Sequence, residues 1–414
     1  MNLEFLGGAR EIGRSALLVD DSLLLDFGMD SGNPPQFPVG SADPDAVVVS
    51  HGHLDHVGSL PSLLSGDARP PIHWTQPTAD LAMTLARDTL SLHGGSYNCP
   101  FTEAELARMT QVSRTHGYGQ PFEAAGYEVT FFDAGHVPGS AHVLVSDGET
   151  RLLYTGDFHT EDQQLLAGTS ARPDADVVVC ESTYADTTRP PRAELERAFA
   201  ESLRQTIWEG GTVVVPAFAI GRTQEAMCLC AEYDLECYVD GMGARVTDLF
   251  LRPRNRAFLR DPALVRRAAG HARFVDGRDG QRERIAAGNT VIVTTSGMLH
   301  GGPAMTYVPA VRDHPTNKIA MVGFQAPGTP GRELLDTGRV PIDGRVLPVS
   351  ATVESYDFSA HADREGLLAF LEPYRDSRLL CVHGDDCPGF AADLRTRGFD
   401  ASAPALGETV TVGE

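Results

Sequence analysis

Lysine is nearly missing from this chain: Lys318 is the only one among 34 basic residues in 414, and the net charge is −22. A molecule so acidic does not draw polyanions to itself by long-range attraction. A lysine-poor, acidic surface suits a high-salt cytoplasm, where the screening length shrinks to a few ångströms, and a halophilic source is inferred. A GC-rich genome that favours arginine over lysine gives the same bias. Paired cysteines are also lacking. The seven thiols (Cys99, Cys180, Cys228, Cys230, Cys237, Cys381 and Cys387) form no even, closely spaced framework, which excludes a small disulfide scaffold and leaves reduced thiols as the expectation. Cys228 and Cys230 lie in an apolar helical stretch and read as structural, so any zinc must be held mostly by histidine and aspartate. No apolar run approaches the ~20 residues of a membrane span. Met1-Asn2-Leu3-Glu4-Phe5 carries no basic head or signal-peptide body and reads as an opening strand. A cytoplasmic protein is expected, too long for one compact domain and suited to two.

What is present alternates. Ser22 to Asp26, Asp45 to Ser50, Thr130 to Asp133, Arg151 to Tyr154 and Asp176 to Cys180 are short apolar runs closed by polar residues. Such runs are buried strands, with helical stretches between some of them, at Thr78 to Leu92 and Glu103 to Val112. After Tyr184 the pattern changes to helix and strand in turn. A helix over about Ala193 to Trp208 is followed by strands at Thr212 to Val215, Glu236 to Asp240 and Thr290 to Thr295. That alternation predicts a doubly wound α/β unit with a parallel sheet. From Val346 the short runs with terminal histidines return. The expectation is one domain inserted into another: 1–185 and 346–414 form the first, 186–345 the second.

Ligand-type side chains gather at the strand ends. His51-Gly52-His53-Leu54-Asp55-His56 places four in six residues directly after a strand, a metal-site constellation. In extended chain His51 and His53 point to the same side and can grip one ion, while Asp55 and His56 turn towards a second position. His136 sits in a glycine-flanked loop, and Asp157 lies just past another strand end, where a carboxylate can bridge paired cations. His361 opens a helix within Phe358-Ser359-Ala360-His361-Ala362-Asp363, and His383 ends a strand. Six of the 14 histidines (51, 53, 56, 136, 361 and 383) therefore occupy strand ends or turns, which scattered packing residues would not do. Glu181 and Asp26, carboxylates at buried strand edges, are of the kind that orient a metal-bound imidazole or a catalytic group.

In this order these motifs resemble those of the metallo-β-lactamase superfamily, and the features after residue 180 resemble its β-CASP branch of nucleic-acid-processing nucleases. Asp26, His51 to His56, His136 and Asp157 look like the first four motifs; Glu181, His361 and His383 look like motifs A, B and C. The resemblance covers nearly the whole chain. It implies an αββα sandwich built from both chain ends with an inserted doubly wound α/β (β-CASP) domain, and catalysis between the two. It implies two Zn²⁺ per chain, one held by His51, His53 and His136, the other by Asp55, His56 and His383, with Asp157 bridging. Gly7 to Ser15, Pro216 to Arg222, Thr295 to Met298 and Phe358 to Asp363 look most like archaeal relatives of the cleavage and polyadenylation specificity factor nuclease. The chain opens directly at the core without KH-type domains, so strong sequence preference is not expected. Ribonuclease J is the nearer alternative within the branch.

The resemblance implies hydrolysis of RNA phosphodiester bonds, by internal cutting or 5′→3′ trimming, on single-stranded RNA, with homodimerisation as a family trait. Two cations ~3.5–4 Å apart activate a water and clamp an in-line displacement. His361, steadied by Glu181, is the group left to protonate the departing ribose oxygen, and Asp26 and Asp55 complete the catalytic set. Cationic features must then hold the RNA locally. Seven arginines (252, 254, 256, 260, 266, 267 and 273) and one acid, Asp261, fall between Arg252 and Arg273. Arg254 and Arg256 are read as part of an RNA wall, against the plain reading of a solvated helical face. Arg222 could offer a guanidinium and backbone amides to a phosphate or simply open an ordinary helix, and Ser296 beyond a strand is a further candidate contact. A small-molecule hydrolase of the superfamily would explain the zincs but not the insertion with Glu181, His361 and His383. An inactive RNA-binding scaffold would be expected to have lost ligands, and none is missing.

Overall fold

The computed structural model describes every residue except Asn33, Tyr97 and Glu414. It divides into two compact units, one made of Met1–Glu161, Gly168–Thr188 and His361–Glu414, the other of Asp162–Ala167 and Arg189–Ala360.

The first unit is built on two seven-stranded sheets. One runs in the order Thr409–Thr411, Asn2–Gly7, Ala16–Val19, Leu23–Leu25, Ala46–Val48, Ile72–Trp74, Ser113–Thr115; the other runs Asp400–Ser402, Arg378–Val382, Val177–Glu181, Arg151–Tyr154, Ala141–Ser146, Tyr127–Asp133, Phe122–Ala124. Alternation along each strand sends neighbouring side chains to opposite faces, and here both faces are apolar. Leu17, Val19, Leu23 and Leu25 meet Val143, Val145, Leu152, Tyr154, Val177 and Val179 in one core between the sheets. The intervening Leu18, Leu24 and Val47 pack outwards with Ala79, Ala82, Leu106 and Met109 of the helices Gln76–His93 and Glu103–Val112. Leu153, Val178 and Cys381 pack the other way, with Leu367, Phe370, Phe390 and Leu394 of the helices Arg364–Leu371 and Cys387–Thr396. Helix, sheet, sheet, helix is the αββα order expected. The single-sided helices follow from their caps and stripes: Thr102 and Glu105 close a capping box at Glu103–Val112.

The second unit holds a six-stranded sheet in the order Arg273–Phe274, Cys237–Asp240, Val291–Thr294, Val213–Pro216, Lys318–Met321, Thr352–Ser355. All its pairings are parallel. Its central strands are buried on both faces: Val214, Ile292, Ile319 and Met321 pack with Tyr307, Val308 and Leu334, while Val213, Val215 and Val293 are equally buried. Continuous β-branched runs are what a parallel sheet covered by helices requires.

The structure places the return to the first unit later than the sequence pattern suggests. Residues 346–360 were expected with the first domain, yet Thr352–Ser355 adds to the inserted sheet beside Lys318–Met321. The ammonium of Lys318, the chain's one lysine, is buried against Glu354 at 2.9 Å, and Glu354 also accepts from Tyr356 Oη at 2.6 Å. A short apolar run does not reveal which sheet it joins. The segment Asp162–Ala167 likewise belongs to the second unit although the chain around it belongs to the first. Of the arginine-rich stretch only Pro262–His271 forms an α-helix; residues 252–261 run through a turn and a short 3₁₀ helix, Arg256–Phe258. Among the described residues no helix is long and apolar enough to cross a membrane.

Candidate metal centre

Five strand exits of the first unit, after Ala46–Val48, Tyr127–Asp133, Arg151–Tyr154, Val177–Glu181 and Arg378–Val382, deliver most of the centre. The loop after Ala46–Val48 carries His51 and His53 and enters the one-turn helix Leu54–Val57, which presents Asp55 and His56. That loop lies so close to the chain after Leu23–Leu25 that a Cβ on Gly28 would overlap the Asp55 carbonyl; only glycine fits there. Gly156 has φ +52°, and a Cβ on it would lie 2.7 Å from that of Ser50. Asp157 is thereby brought directly over the histidine loop. Asp26 and His383 both have left-handed backbone, φ 58° and 49°. Such residues cost on the order of 1 kcal/mol or more and cluster at functional sites.

Three groups of ligand-type atoms result, each with all its atoms within 4.8 Å of one another: His51, His53, His136 and Asp157; Asp55, His56, His383 and Asp157; and Asp157, Glu181 and His361. In the first, His53 Nδ1 lies 3.1 Å from His51 Nε2 and 3.0 Å from His136 Nε2. Ligands about 2.0–2.1 Å from a tetrahedral zinc stand about 3.3 Å apart, so the spacing fits one ion. The two oxygens of Asp157 divide between the groups. Oδ2 is 3.5 Å from His51 Nε2 and 3.8 Å from His136 Nε2; Oδ1 is 3.4 Å from His56 Nε2 and 3.5 Å from His383 Nδ1. Asp157 Oδ1 is buried without a hydrogen-bond partner. A buried anionic oxygen left in that state is costly, and a divalent cation would satisfy it.

Electrostatics separate the groups. Burial, helped by neighbouring imidazoles, pushes His51 well below its usual pKa and His53 down to about 4; both stay neutral with lone pairs available. In the second group burial acts to lower the histidines, but Asp157, Asp26 and Asp55 outweigh it and raise His56. Asp157 and Asp55 likewise bring His383 up to about 9. Burial acts to raise Asp157 and Asp55, and the facing histidines overcome it and hold both below the usual carboxylate range. A cation entering this group would displace protons.

The supporting carboxylates are fully used. Asp26 is buried and accepts from Ser50 N at 2.7 Å, Ser50 Oγ at 2.6 Å, Tyr154 Oη at 2.9 Å and His56 Nδ1 at 2.7 Å. It therefore sets the His56 tautomer and does not reach the reacting edge. Glu181 accepts from Phe158 N at 2.8 Å, Thr183 Oγ1 at 2.6 Å and His361 Nδ1 at 2.9 Å. His361 Nε2 is left 3.9 Å from Asp157 Oδ2. Ser50, Tyr154 and Thr183 were missed as site residues by sequence reasoning. Each adjoins a motif, but nothing in a sequence shows which hydroxyl a folded carboxylate will meet.

The candidate substrate contacts are a different matter. Arg222 is only 7% exposed; its guanidinium donates to the Phe358 carbonyl and, at 3.0 Å, to Gln163 Oε1. The Gly221, Arg222 and Thr223 amides at that helix start are taken by Gln224 Oε1, the Ile220 carbonyl and the Phe218 carbonyl. The phosphate cradle expected at Arg222 is thus occupied by the protein itself. Ser296 Oγ accepts from His300 N at 2.9 Å. In the arginine-rich stretch Arg252 pairs with Asp248, Arg260 with Asp162 and Arg273 with Glu236, and Arg256 Nε donates to the Leu251 carbonyl. Arg254, Arg266 and Arg267 are exposed.

An αββα sandwich whose strand ends converge on two histidine–aspartate groups sharing one carboxylate defines a metal-dependent hydrolase scaffold. Residues 10–205 match the metallo-beta-lactamase superfamily, residues 224–334 the Beta-Casp domain, and residues 346–404 the Zn-dependent metallo-hydrolase RNA specificity domain. A protein of Saccharolobus solfataricus named RNase aCSPSF2 is 34% identical over 426 residues, covering 99% of this chain and 85% of that one. An RNase J-like protein of Methanocaldococcus jannaschii is 31% identical over 404 residues, 92% of each chain. A crystal structure of a protein of unknown function from Enterococcus faecalis V583 shares the fold, with TM-score 0.61 over 99% of both chains at 12% identity. This chain belongs to the metallo-β-lactamase superfamily, in the branch that carries a β-CASP domain.

Proposed function

We propose that this protein is a two-zinc ribonuclease that hydrolyses phosphodiester bonds in single-stranded RNA, in RNA processing or decay. The observation that carries the reading is the division of Asp157, one oxygen towards each histidine group. The names of relatives such as RNase aCSPSF2 and the RNase J-like protein supply the substrate class. His51, His53 and His136 would hold one zinc, Asp55, His56 and His383 the other, with Asp157 shared. Two zinc ions, when bound, supply an activated water and Lewis-acid neutralisation of the phosphate oxygens.

The remaining steps fall to the chain. Asp26 keeps His56 Nδ1 protonated, so Nε2 faces the site as a lone pair. Glu181 holds His361 through Nδ1, and Nε2 projects towards Asp157. Burial acts to lower the His361 pKa, but Glu181 and Asp157 overcome it and keep the imidazole above its usual value. A protonated Nε2 can then donate to the leaving ribose oxygen, giving a 5′-phosphate and a 3′-hydroxyl.

The test is to incubate zinc-loaded protein with 5′-labelled single-stranded RNA, and separately with a lactam and a thioester. RNA cleavage ending in 5′-phosphates, lost on Asp157→Asn, supports the proposal. Turnover of the lactam or thioester with intact RNA would replace it with a small-molecule hydrolase. His361→Ala retaining near-normal turnover with both zincs bound would remove the acid role.

A further inference from the structure

His361 occupies an awkward place. It is the first residue of the segment that returns to the first unit, in an irregular stretch between the strand Thr352–Ser355 and the helix Arg364–Leu371. No regular ladder of backbone hydrogen bonds holds it. Its peptide is instead pinned to the two residues that follow Asp157. The Ala362 amide donates to the Phe158 carbonyl at 2.7 Å, and His159 Nδ1 donates to the His361 carbonyl at 3.0 Å. Since a carbonyl only accepts, Nδ1 of His159 carries the proton.

His159 is itself buried and held at its backbone: it is 4% exposed, its amide donates to the Ala134 carbonyl at 2.9 Å, and its carbonyl accepts from the Thr169 amide at 2.7 Å. The Phe158 amide meanwhile donates to Glu181, the carboxylate that grips the His361 ring. The imidazole of His361 is therefore held through its ring by Glu181 and through its backbone by His159, and both holds run back to the chain leaving Asp157. A buried imidazole in this position costs free energy unless its N–H is used, and here it is used on the peptide of His361, the histidine of the third ligand-type group.

We propose that His159 is a positioning residue for the protonating step: its Nδ1–H fixes the His361 backbone, so that His361 Nε2 stays beside Asp157. The inference rests on His361 acting as the general acid, and the experiment reads the two ideas apart. Steady-state cleavage of 5′-labelled RNA is measured for His159→Leu, His159→Asn, His361→Ala and the double variant His159→Leu/His361→Ala, each checked for zinc content and melting temperature. Asn places an amide N–H where Nδ1 stands; Leu fills similar space without a donor. Displacing a catalytic group by about 1 Å costs on the order of 100-fold. His159→Leu is expected to lose about that factor in kcat, with KM and zinc content unchanged. His159→Asn should stay within about tenfold of wild type, since it keeps the hydrogen bond. In the His361→Ala background, His159→Leu should cost nothing further.

Wild-type kcat in His159→Leu overturns the inference while leaving the acid role intact. So does an equal loss in His159→Asn, or a loss repeated undiminished in the His361→Ala background, since either would mean general disruption of the fold. Near-normal turnover in His361→Ala overturns the acid role and the positioning role together.

Discussion

Asp26→Asn is nearly isosteric, yet it should unbalance the two metal positions. The carboxylate accepts four hydrogen bonds, from the amide and hydroxyl of Ser50, from Tyr154 Oη and from His56 Nδ1. An asparagine keeps one accepting oxygen and replaces the other with a donor. Hydroxyls of Ser50 and Tyr154 can turn round to accept from it; the Nδ1–H of His56 cannot. His56 is then driven to carry its proton on Nε2, the atom 3.4 Å from Asp157 Oδ1, where a metal ligand needs a lone pair. Losing such an outer carboxylate typically costs 10–100-fold in metal affinity, or about 1.4–2.8 kcal/mol. The group of His51, His53 and His136 touches this network through Ser50 Oγ, 3.1 Å from His51 Nδ1, and should lose less. Calorimetric zinc titration against a competing chelator resolves the two affinities. Equal weakening of both steps, or no weakening of either, would refute the tautomer argument.

Other consequences follow from the same geometry. Charge reversal of Arg254 and Arg256 together should weaken single-stranded RNA binding at constant zinc content and make the salt dependence shallower by about 1.4, the slope for two phosphates; unchanged affinity removes the RNA-wall reading. His142 is buried, its Nδ1 bonded to the Thr155 carbonyl at 2.9 Å, and burial brings its pKa down to about 4. Between there and the unfolded value near 6.5 only the unfolded chain takes up a proton, so stability is full above about pH 6.5 and falls as pH drops towards 4, by on the order of 3 kcal/mol. Urea midpoints from pH 7.5 to 4.5 should show a shallower decline in His142→Asn, and parallel curves would rule this out. Glu225 is buried and accepts from Leu165 N at 2.7 Å, Gln164 N at 3.1 Å and Arg192 Nη2 at 2.8 Å. Glu225→Ala takes the acceptor from both amides, while Arg192 keeps Glu196 at 2.8 Å, and should cost about 1–3 kcal/mol, with faster hydrogen exchange at the two amides; unchanged protection there would contradict it.

The metal-type residues were legible because chemistry and spacing coincide in the sequence. His51-Gly52-His53-Leu54-Asp55-His56 packs four ligands behind one strand, and strand ends are where a layered sheet protein exposes side chains. The sequence leaves Arg222 between two readings for the converse reason. A basic residue after glycine at a helix start has the pattern of an anion site, but the guanidinium is spent on Phe358 and Gln163, and no local pattern reveals a partner 136 residues away. Arg252, Arg260 and Arg273 counted as free charge in the sequence and are paired in the fold.

The sequence by itself determined short buried strands and a parallel-sheet insertion, because side-chain alternation and β-branched runs are local properties of a chain; the αββα plan came from the motifs' resemblance to a family. The sequence also determined the stock of imidazoles and carboxylates at the strand exits. Tertiary structure alone decided which sheet Thr352–Ser355 would join, that Asp162–Ala167 would fold with the second unit, and which oxygen of Asp157 would face which histidines. It alone placed His159 under the carbonyl of His361, 202 residues further along. Those outcomes depend on distances between segments remote in the chain, fixed only when the sheets pack.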